Sequence, residues 1–422
     1  MSGLIIAAPG SGAGKTTVTL ALLRLLSRQG VPVRGAKSGP DYIDPRFHEA
    51  ACGMPCPNLD AWAMSPERIR ALASGDGLLI IEGAMGLFDG APPDGKGAVG
   101  DLACLMQLPV ILVVDAARMA QSVAAMVAGY AGFDPNVRVT GVILNNVGSE
   151  RHEVMLRRAL APLGLPVLAA LHRSSALAQP SRHLGLVQAT EHPDLEAFLD
   201  AAGDALAATL DRDALLAMAA PLPEAKTGPH IPPPSSTIAV ARDAAFAFVY
   251  PHLLQDWRDA GAELRLFSPL ADEPVPEAGF IYLPGGYPEL FAGQLASNQT
   301  FLRSLRSAAQ TSDIYGECGG YMLLGKGLID AQGTRHEMAG LLHLETSFAT
   351  RKLHLGYRRL SPLRGPFGTA LMAHEFHYAT TLSATGDPLF CAEDAEGTPL
   401  PDMGLVQGRV SGSFAHVIDA AQ

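Results

Sequence analysis

The 422-residue sequence predicts an α/β protein built from two doubly wound domains, and three observations carry that prediction. Short continuous apolar runs recur through the first half, separated by stretches long enough for crossover helices, which is the pattern of a parallel sheet covered on both faces. Residues 221–236, "PLPEAKTGPHIPPPSS", are crowded with proline and small polar residues, a semi-rigid linker composition. Beyond them a second set of strand-like runs begins. A chain of this length also exceeds one ordinary core, so we expect a domain over 1–220, the linker over 221–236 and a second domain over 237–422.

In chain order the first-half runs are "GLIIAAP", "PVRGAKSG", "GLLIIEGA", "PVILVVDA", "RVTGVILNN" and "GLPVLAALH". The second-half runs are "TIAVARD", "ELRLFSPL", "GFIYLPGG" and "DIYGECGG", followed by a more irregular β-rich tail.

Composition narrows the function classes. With 48% hydrophobic and 17% charged residues the chain reads as globular, and a formal charge of −11 leaves no basic stripe for nucleic acid or an anionic membrane. Small molecules remain as partners. The N-terminus "MSGLIIAAPG" lacks a basic n-region, and nowhere do about 18 apolar residues run uninterrupted, so a cytoplasmic protein is expected. Five cysteines, an odd number, suit a reducing compartment. His48, Cys52 and Cys56 recur at a spacing of four, but Gly53 and Pro55 would interrupt a helix there, and we read the three as packing or loop residues and not as a metal site. The sequence does not determine oligomeric state, and a homodimer stands as one assembly open to it.

The segment "PGSGAGKTT" follows the strand "LIIAA" and precedes a helix dense in leucine (Leu20, Leu22, Leu23, Leu25, Leu26). Strand, glycine loop and helix are the context of a Walker A loop, whose N–H groups cradle phosphate. The strict pattern asks for glycine at Pro9, while Gly12, Gly14, Lys15, Thr16 and Thr17 are in place. Lys15 is assigned to the β/γ phosphates of ATP and Thr16 to Mg²⁺. Lys37, Asp41 and Asp44 follow the second strand, Glu82 and Asp89 the third, and Asp115 the fourth, at the strand ends where open α/β sheets bind ligands. So many carboxylates around one nucleotide call for Mg²⁺, with Thr16, Asp41 and Glu82 as its expected ligands. Asp44 before Pro45 also suits a turn, and Asp115 a helix cap. Asn145 and Asn146 end a strand where they would either read a nucleotide base or tie down the next loop.

The block "GPDYIDPRFH", with "NLDAW", "EGAMGLFDG" and "VVDAARMAQS", resembles the N-terminal domain of cobyrinic acid a,c-diamide synthases, itself similar in fold to dethiobiotin synthetase. That resemblance implies a ligase that spends ATP to activate a carboxylate as an acyl phosphate. It further implies roles for Asp41, Tyr42, Asp44, Glu82 and Asp89 in metal binding, intermediate stabilisation or substrate handling.

In the second half "GECGG" fits G-x-C-x-G, the thiol form of a nucleophile elbow, in which glycines permit a strained strand-to-helix turn that presents Cys318. "GSFAHVID" supplies His416 as base, with His374 and His377 of "HEFHY" as competitors. A helix N-terminus and a nearby histidine are expected to favour the thiolate. The N–H groups of Gly285 and Gly286 in "YLPGGYPEL" are candidates for an oxyanion hole. Together with "PGGYPEL" and "SFAH", residues 237–422 resemble a class I glutamine amidotransferase domain, which implies ammonia release from glutamine through a Cys318 thioester. Many such domains carry glutamate two residues after the histidine; here that position is Ile418, with Asp419 one further on, so the third member of the Cys318–His416 site stays open.

Joined, the two halves predict glutamine-dependent amidation, one site making an acyl phosphate and the other supplying ammonia beside it. The resemblance implies the a and c acetate groups of cobyrinic or hydrogenobyrinic acid, a corrin polycarboxylate, as substrate. Other tetrapyrrole carboxylates, a switch ATPase with a docking module, and an inactive amidotransferase domain are the rival readings.

Overall fold

The computed structural model describes residues 1–174, 177, 188–191, 194–226 and 228–421. They form two compact units, Met1–Gly228 and Pro229–Gln422.

In the first unit, strands β1 (Ser2–Ala7), β2 (Val33–Ser38), β3 (Asn58–Leu59), β4 (Leu78–Glu82), β5 (Val110–Asp115), β6 (Val139–Val147) and β7 (Val167–His172) stand in the order β3-β2-β4-β1-β5-β6-β7 with every neighbour parallel. Each of the six apolar runs of the first half forms one of these strands. Only the two-residue β3 had no such run. Helices α1 (Lys15–Arg28), α2 (Asp44–Cys52), α3 (Pro66–Ala73), α4 (Val99–Met106), α5 (Ser122–Phe133), α6 (Glu150–Leu160), α7 (Leu195–Ala207) and α8 (Arg212–Met218) connect them. The leucines of α1 are buried in one core with Phe198, Leu199 and Leu206 of α7, each side chain contributing about 1.5–3 kcal/mol. A parallel sheet brings all its carboxyl ends to one edge. The loops after β1, β2, β4, β5 and β6 therefore share that edge.

The stretch expected as linker begins as sheet. Strand β8 (Ala220–Pro221) pairs antiparallel with β1, Pro221 opposite Ser2. Pro221 is tolerated because a two-residue strand at the start of β1 asks little of its missing N–H. The first unit continues to Gly228.

The second unit contains strands β9 (Thr237–Ala241), β10 (Glu263–Phe267), β11 (Phe280–Leu283), β12 (Asp313–Glu317), β13 (Gly327–Ile329), β14 (Arg335–Glu337), β15 (Leu344–Ser347), β16 (His354–Pro362), β17 (Leu371–His377), β18 (Thr380–Ala384), β19 (Phe390–Glu393), β20 (Pro399–Met403), β21 (Leu405–Gln407), β22 (Val410–Ser413) and β23 (Ala415–Ala420). Its helices are α9 (Pro251–Asp259), α10 (Ala292–Ser297), α11 (Gln299–Ala308) and α12 (Gly319–Leu324). A six-stranded sheet runs β10-β9-β11-β12-β22-β21, parallel except for β21. The β-rich tail resolves into two further sheets, β14-β13-β15-β18 and β20-β19-β16-β17-β23. Because β22 pairs with β12 across nearly a hundred residues, the strand that follows it, β23, is delivered to the end of β12.

Candidate active sites

In the first unit the loop after β1 is shaped by Gly12 and Gly14, at φ 80° and 88°, conformations that L side chains rarely adopt. Gly14 precedes the first turn of α1, which carries Lys15, Thr16 and the half-buried Thr17. The Lys15 ammonium folds back onto the carbonyls of Gly10 at 3.1 Å and Met85 at 2.5 Å. Pro9, where the strict motif has glycine, has its carbonyl held by the Tyr130 hydroxyl at 2.8 Å. Asn145 donates to the Ala13 carbonyl at 3.0 Å, so it ties down the loop. Asn146 binds the exposed Asp115 carboxylate at 3.0 Å, which also accepts the Ala117 N–H, so Asp115 serves as a turn residue.

Lys37 organises the carboxylates. Its ammonium lies 2.8 Å from Glu82 Oε1, 2.5 Å from Asp44 Oδ2 and 3.8 Å from Asp41 Oδ2. Thr16 Oγ1 donates to the same Glu82 oxygen at 2.7 Å and lies 3.4 Å from the same Asp44 oxygen. Asp44, not Asp41, is thus the carboxylate that joins Glu82 at Thr16. Asp41 turns Oδ1 to the N–H groups of Ile43 and Asp44, which starts α2, and the half-buried Tyr42 lies in that turn. Burial opposes the Lys37 charge, but Asp44, Glu82 and Asp41 outweigh it and raise its pKa well above the usual value. Lys15 also feels the charges of Glu82 and Asp44, but two ammonium groups still face three carboxylates. Burial and the charge of Asp41 push the Asp44 carboxyl up to about 7 despite Lys37. Clustered hard oxygens with excess negative charge are the donor set that suits Mg²⁺. Asp89 is exposed and accepts the Gly86 N–H at 2.9 Å, in the loop that also supplies the Met85 carbonyl to Lys15.

His48, read from sequence as packing, is buried on α2 with Nε2 2.6 Å from Glu82 Oε2 and Nδ1 3.3 Å from Cys56 Sγ. It fixes the orientation of Glu82. Gly53, at φ 72°, ends α2 just after Cys52, as its presence predicted. What sequence reading missed was the partner of His48. The signal, a histidine one helical turn after Asp44 on a helix packed against β2, the strand beside β4, needs the sheet order to be read.

In the second unit β12 ends at Glu317, and Cys318 turns the chain into α12 at φ 45°, a strained value for a non-glycine residue. Its neighbours must be glycine. A Cβ on Gly320 would stand 1.9 Å from the Leu283 carbonyl oxygen, one on Gly316 2.7 Å from the Gly320 backbone, and one on Gly319 2.9 Å from Pro288. The Cys318 N–H is bonded to the Ser413 carbonyl at 2.8 Å, which ties the elbow to β22 just before His416. A Cβ on Gly285 would stand 2.2 Å from His416 Cε1, and one on Gly319 3.1 Å from the Gly286 nitrogen, so Cys318, Gly285, Gly286 and His416 converge. The carbonyls of Pro284 and Gly285 accept N–H groups from Gly320 and Phe248 and pin the glycine turn.

The expected thiolate is not the resting state. Burial pushes the Cys318 thiol far up, with the charges of Glu289, Glu317 and Glu375 adding to it, and only the Gly319 N–H pulls the other way. Desolvation outweighs a six-residue helix. Burial, and then the charges of His374 and His377, holds the His416 imidazole down at about 3, so it is neutral and able to accept a proton. His374 lies directly opposite His416 in the pairing of β17 with β23, and His377 is bonded to Glu375 at 2.9 Å and stacked on Phe414. Ile418 is wholly buried, and Asp419 turns Oδ1 to the Ala420 N–H.

Residues 4–187 match the CobQ/CobB/MinD/ParA nucleotide-binding domain family and residues 237–422 the CobB/CobQ-like glutamine amidotransferase domain family. Hydrogenobyrinate a,c-diamide synthases are similar along the whole chain. The protein of that name from Brucella anthropi is 56% identical over 99% of both chains, that of a Sinorhizobium species 55% over 100% of this chain and 99% of its own, and that of Rhodobacter capsulatus 51% over 99% and 98%. The chain belongs to the hydrogenobyrinate a,c-diamide synthase family.

A member of this family is a glutamine-dependent ligase that uses ATP, and the two units carry its two kinds of site. Among the described residues, no helix is long and apolar enough to cross a membrane. Among them also, one group has three side chains close enough to share a metal ion, His354, Glu375 and His377. Its geometry argues for packing instead. The two imidazoles are stacked with planes 5° apart, so their in-plane lone pairs lie in separate parallel planes and do not meet at one point, and Arg358 already holds Glu375 at 2.6 Å.

Proposed function

We propose that the protein amidates the a and c acetate carboxylates of hydrogenobyrinic acid, with ATP to activate each carboxylate and glutamine as nitrogen source. The observation that carries the reading is the full-length similarity to synthases of that name, joined to a phosphate loop and a cysteine elbow in one chain. The metal-free corrin is preferred over its cobalt form on the names of those relatives.

Lys15 and the loop N–H groups hold the β/γ phosphates while a substrate carboxylate oxygen attacks the γ-phosphorus and ADP leaves. Thr16, Glu82 and Asp44 are the residues that would hold Mg²⁺, whose charge offsets that of the phosphates. Lys37 keeps Glu82 and Asp44 in place, Asp41 and Tyr42 face the substrate, and Asp89 supports the loop that contacts Lys15. In the second unit Cys318 attacks the glutamine amide carbon. His416 takes the thiol proton and passes it to the departing nitrogen, and the N–H groups of Gly285 and Gly286 receive the oxyanion. Ammonia then displaces phosphate from the acyl phosphate. A cytoplasmic setting agrees with five free cysteines.

The test is product mass and ADP release with hydrogenobyrinic acid, using glutamine or ammonium chloride. Two amide substitutions with corrin-dependent ATP use are expected from either donor. Cys318→Ala should lose the glutamine-driven reaction and keep the ammonia-driven one. Corrin-independent ATP turnover with an unchanged acceptor would overturn the substrate assignment.

A further inference from the structure

We infer that Glu317, the residue immediately before the elbow cysteine, is the positioning carboxylate for His416, so that the third member of the glutaminase site comes from the nucleophile's own strand. The inference rests on the proposed glutaminase roles of Cys318 and His416.

The residues after His416 do not serve. A bulge at Ile418 in the pairing of β17 with β23 sets Asp419 opposite Met372, two ladder positions from His416 opposite His374, and its Oδ1 is taken by the Ala420 N–H. Ile418 sits at the bulge and has no polar atom in its side chain. The carboxylate that does approach is Glu317, with Oε2 3.9 Å from His416 Nδ1 and both residues buried at 2% and 1% exposure.

Two further contacts aim it. Oε1 accepts the Val417 N–H at 3.1 Å, which tethers the carboxylate to the residue next to the histidine. Oε2 accepts the Tyr282 hydroxyl at 2.7 Å. A carboxylate held from two sides is fixed beside the ring, and at 3.9 Å from Nδ1 the working contact requires the imidazole to turn toward it.

In the working form Glu317 accepts Nδ1–H, which leaves Nε2 bare. As the bond from Cys318 sulfur to the glutamine amide carbon forms, the thiol proton moves to Nε2. It then goes to the nitrogen as the C–N bond breaks, leaving a thioester and ammonia. Nδ1–H stays on the ring throughout, and Glu317 in its ionised form, which burial delays to about 8 against the bonds from Tyr282 and Val417, offsets the charge of the transient imidazolium. A purely structural carboxyl would need only to accept from Val417 and Tyr282. Glutamine has an oxygen for one of these contacts and no charge for the ring.

The test measures glutamine hydrolysis directly, beside ammonia-driven amidation, in Glu317→Gln, Glu317→Asp, Tyr282→Phe and the Cys318→Ala control. Expected are a fall in glutaminase kcat of about 10²-fold or more in Glu317→Gln, KM within about twofold, partial recovery in Glu317→Asp and a severalfold loss in Tyr282→Phe, all with ammonia-driven amidation unchanged. Unaltered kcat in Glu317→Gln, or equal losses in the glutamine- and ammonia-driven reactions, overturns the role of Glu317. If Cys318→Ala still hydrolyses glutamine, the glutaminase reading itself has failed.

Discussion

The side-chain amide of Asn145 occupies the space beside Gly14, where a Cβ would stand 2.0 Å from Nδ2, and from there it donates to the Ala13 carbonyl. A strand-end asparagine and a left-handed glycine thus hold one shape of the phosphate loop between them. Gly14→Ala adds both the clash and a strained φ, and ATP binding should become undetectable by calorimetry while the far-ultraviolet dichroism is retained. Asn145→Ala loses one hydrogen bond, about 1 kcal/mol, so its ATP affinity should fall about fivefold.

Lys37 is the cation among Glu82, Asp44 and Asp41. Lys37→Met leaves carboxylates uncompensated in a buried setting, a loss on the order of 3–5 kcal/mol in urea unfolding. Millimolar Mg²⁺ should raise the midpoint of this variant more than that of the parent. Equal shifts would mean that the three oxygens of Thr16, Glu82 and Asp44 do not collect a divalent cation.

Gly285 faces the His416 ring edge so closely that any side chain must displace it. Gly285→Ala should cut glutamine hydrolysis by about 10²-fold or more while ammonia-driven amidation continues. Parallel assays with the two nitrogen donors check it.

Burial holds His416 down at about 3 and His374 at about 4, further lowered by the charges of neighbouring histidines and of Arg358 respectively. Unfolded imidazoles titrate near about 6.5. Below that pH the unfolded chain binds protons that the native site refuses, so this part of the stability is present above about 6.5 and disappears as pH falls toward 4 and 3. Urea midpoints measured from pH 7.5 to 5 should decline less steeply in His416→Gln than in the parent.

Much of this was legible as text. Gly12, Gly14, Lys15 and Thr16 announce a phosphate loop because that loop is a local structure whose residues are contiguous, and the glycines around Cys318 announce an elbow for the same reason. The six apolar runs announce the parallel strands because burial on both faces removes the polar alternation that would otherwise obscure them. The expectation of a resting thiolate failed, since it counted the local helix and not the burial around it.

What the sequence by itself determined is the pair of reactive turns, the α/β class and the set of strand-end carboxylates, all of which follow from short-range backbone demands and hydrophobic periodicity. Only the tertiary structure decided which carboxylate meets which partner. Thr16, Lys37, His48 and Glu82 come from four separate elements and meet through the sheet order. Glu317 reaches His416 because β22 pairs with β12 from far along the chain. Such contacts depend on which strands lie side by side, a property of the packed whole that no local spacing encodes.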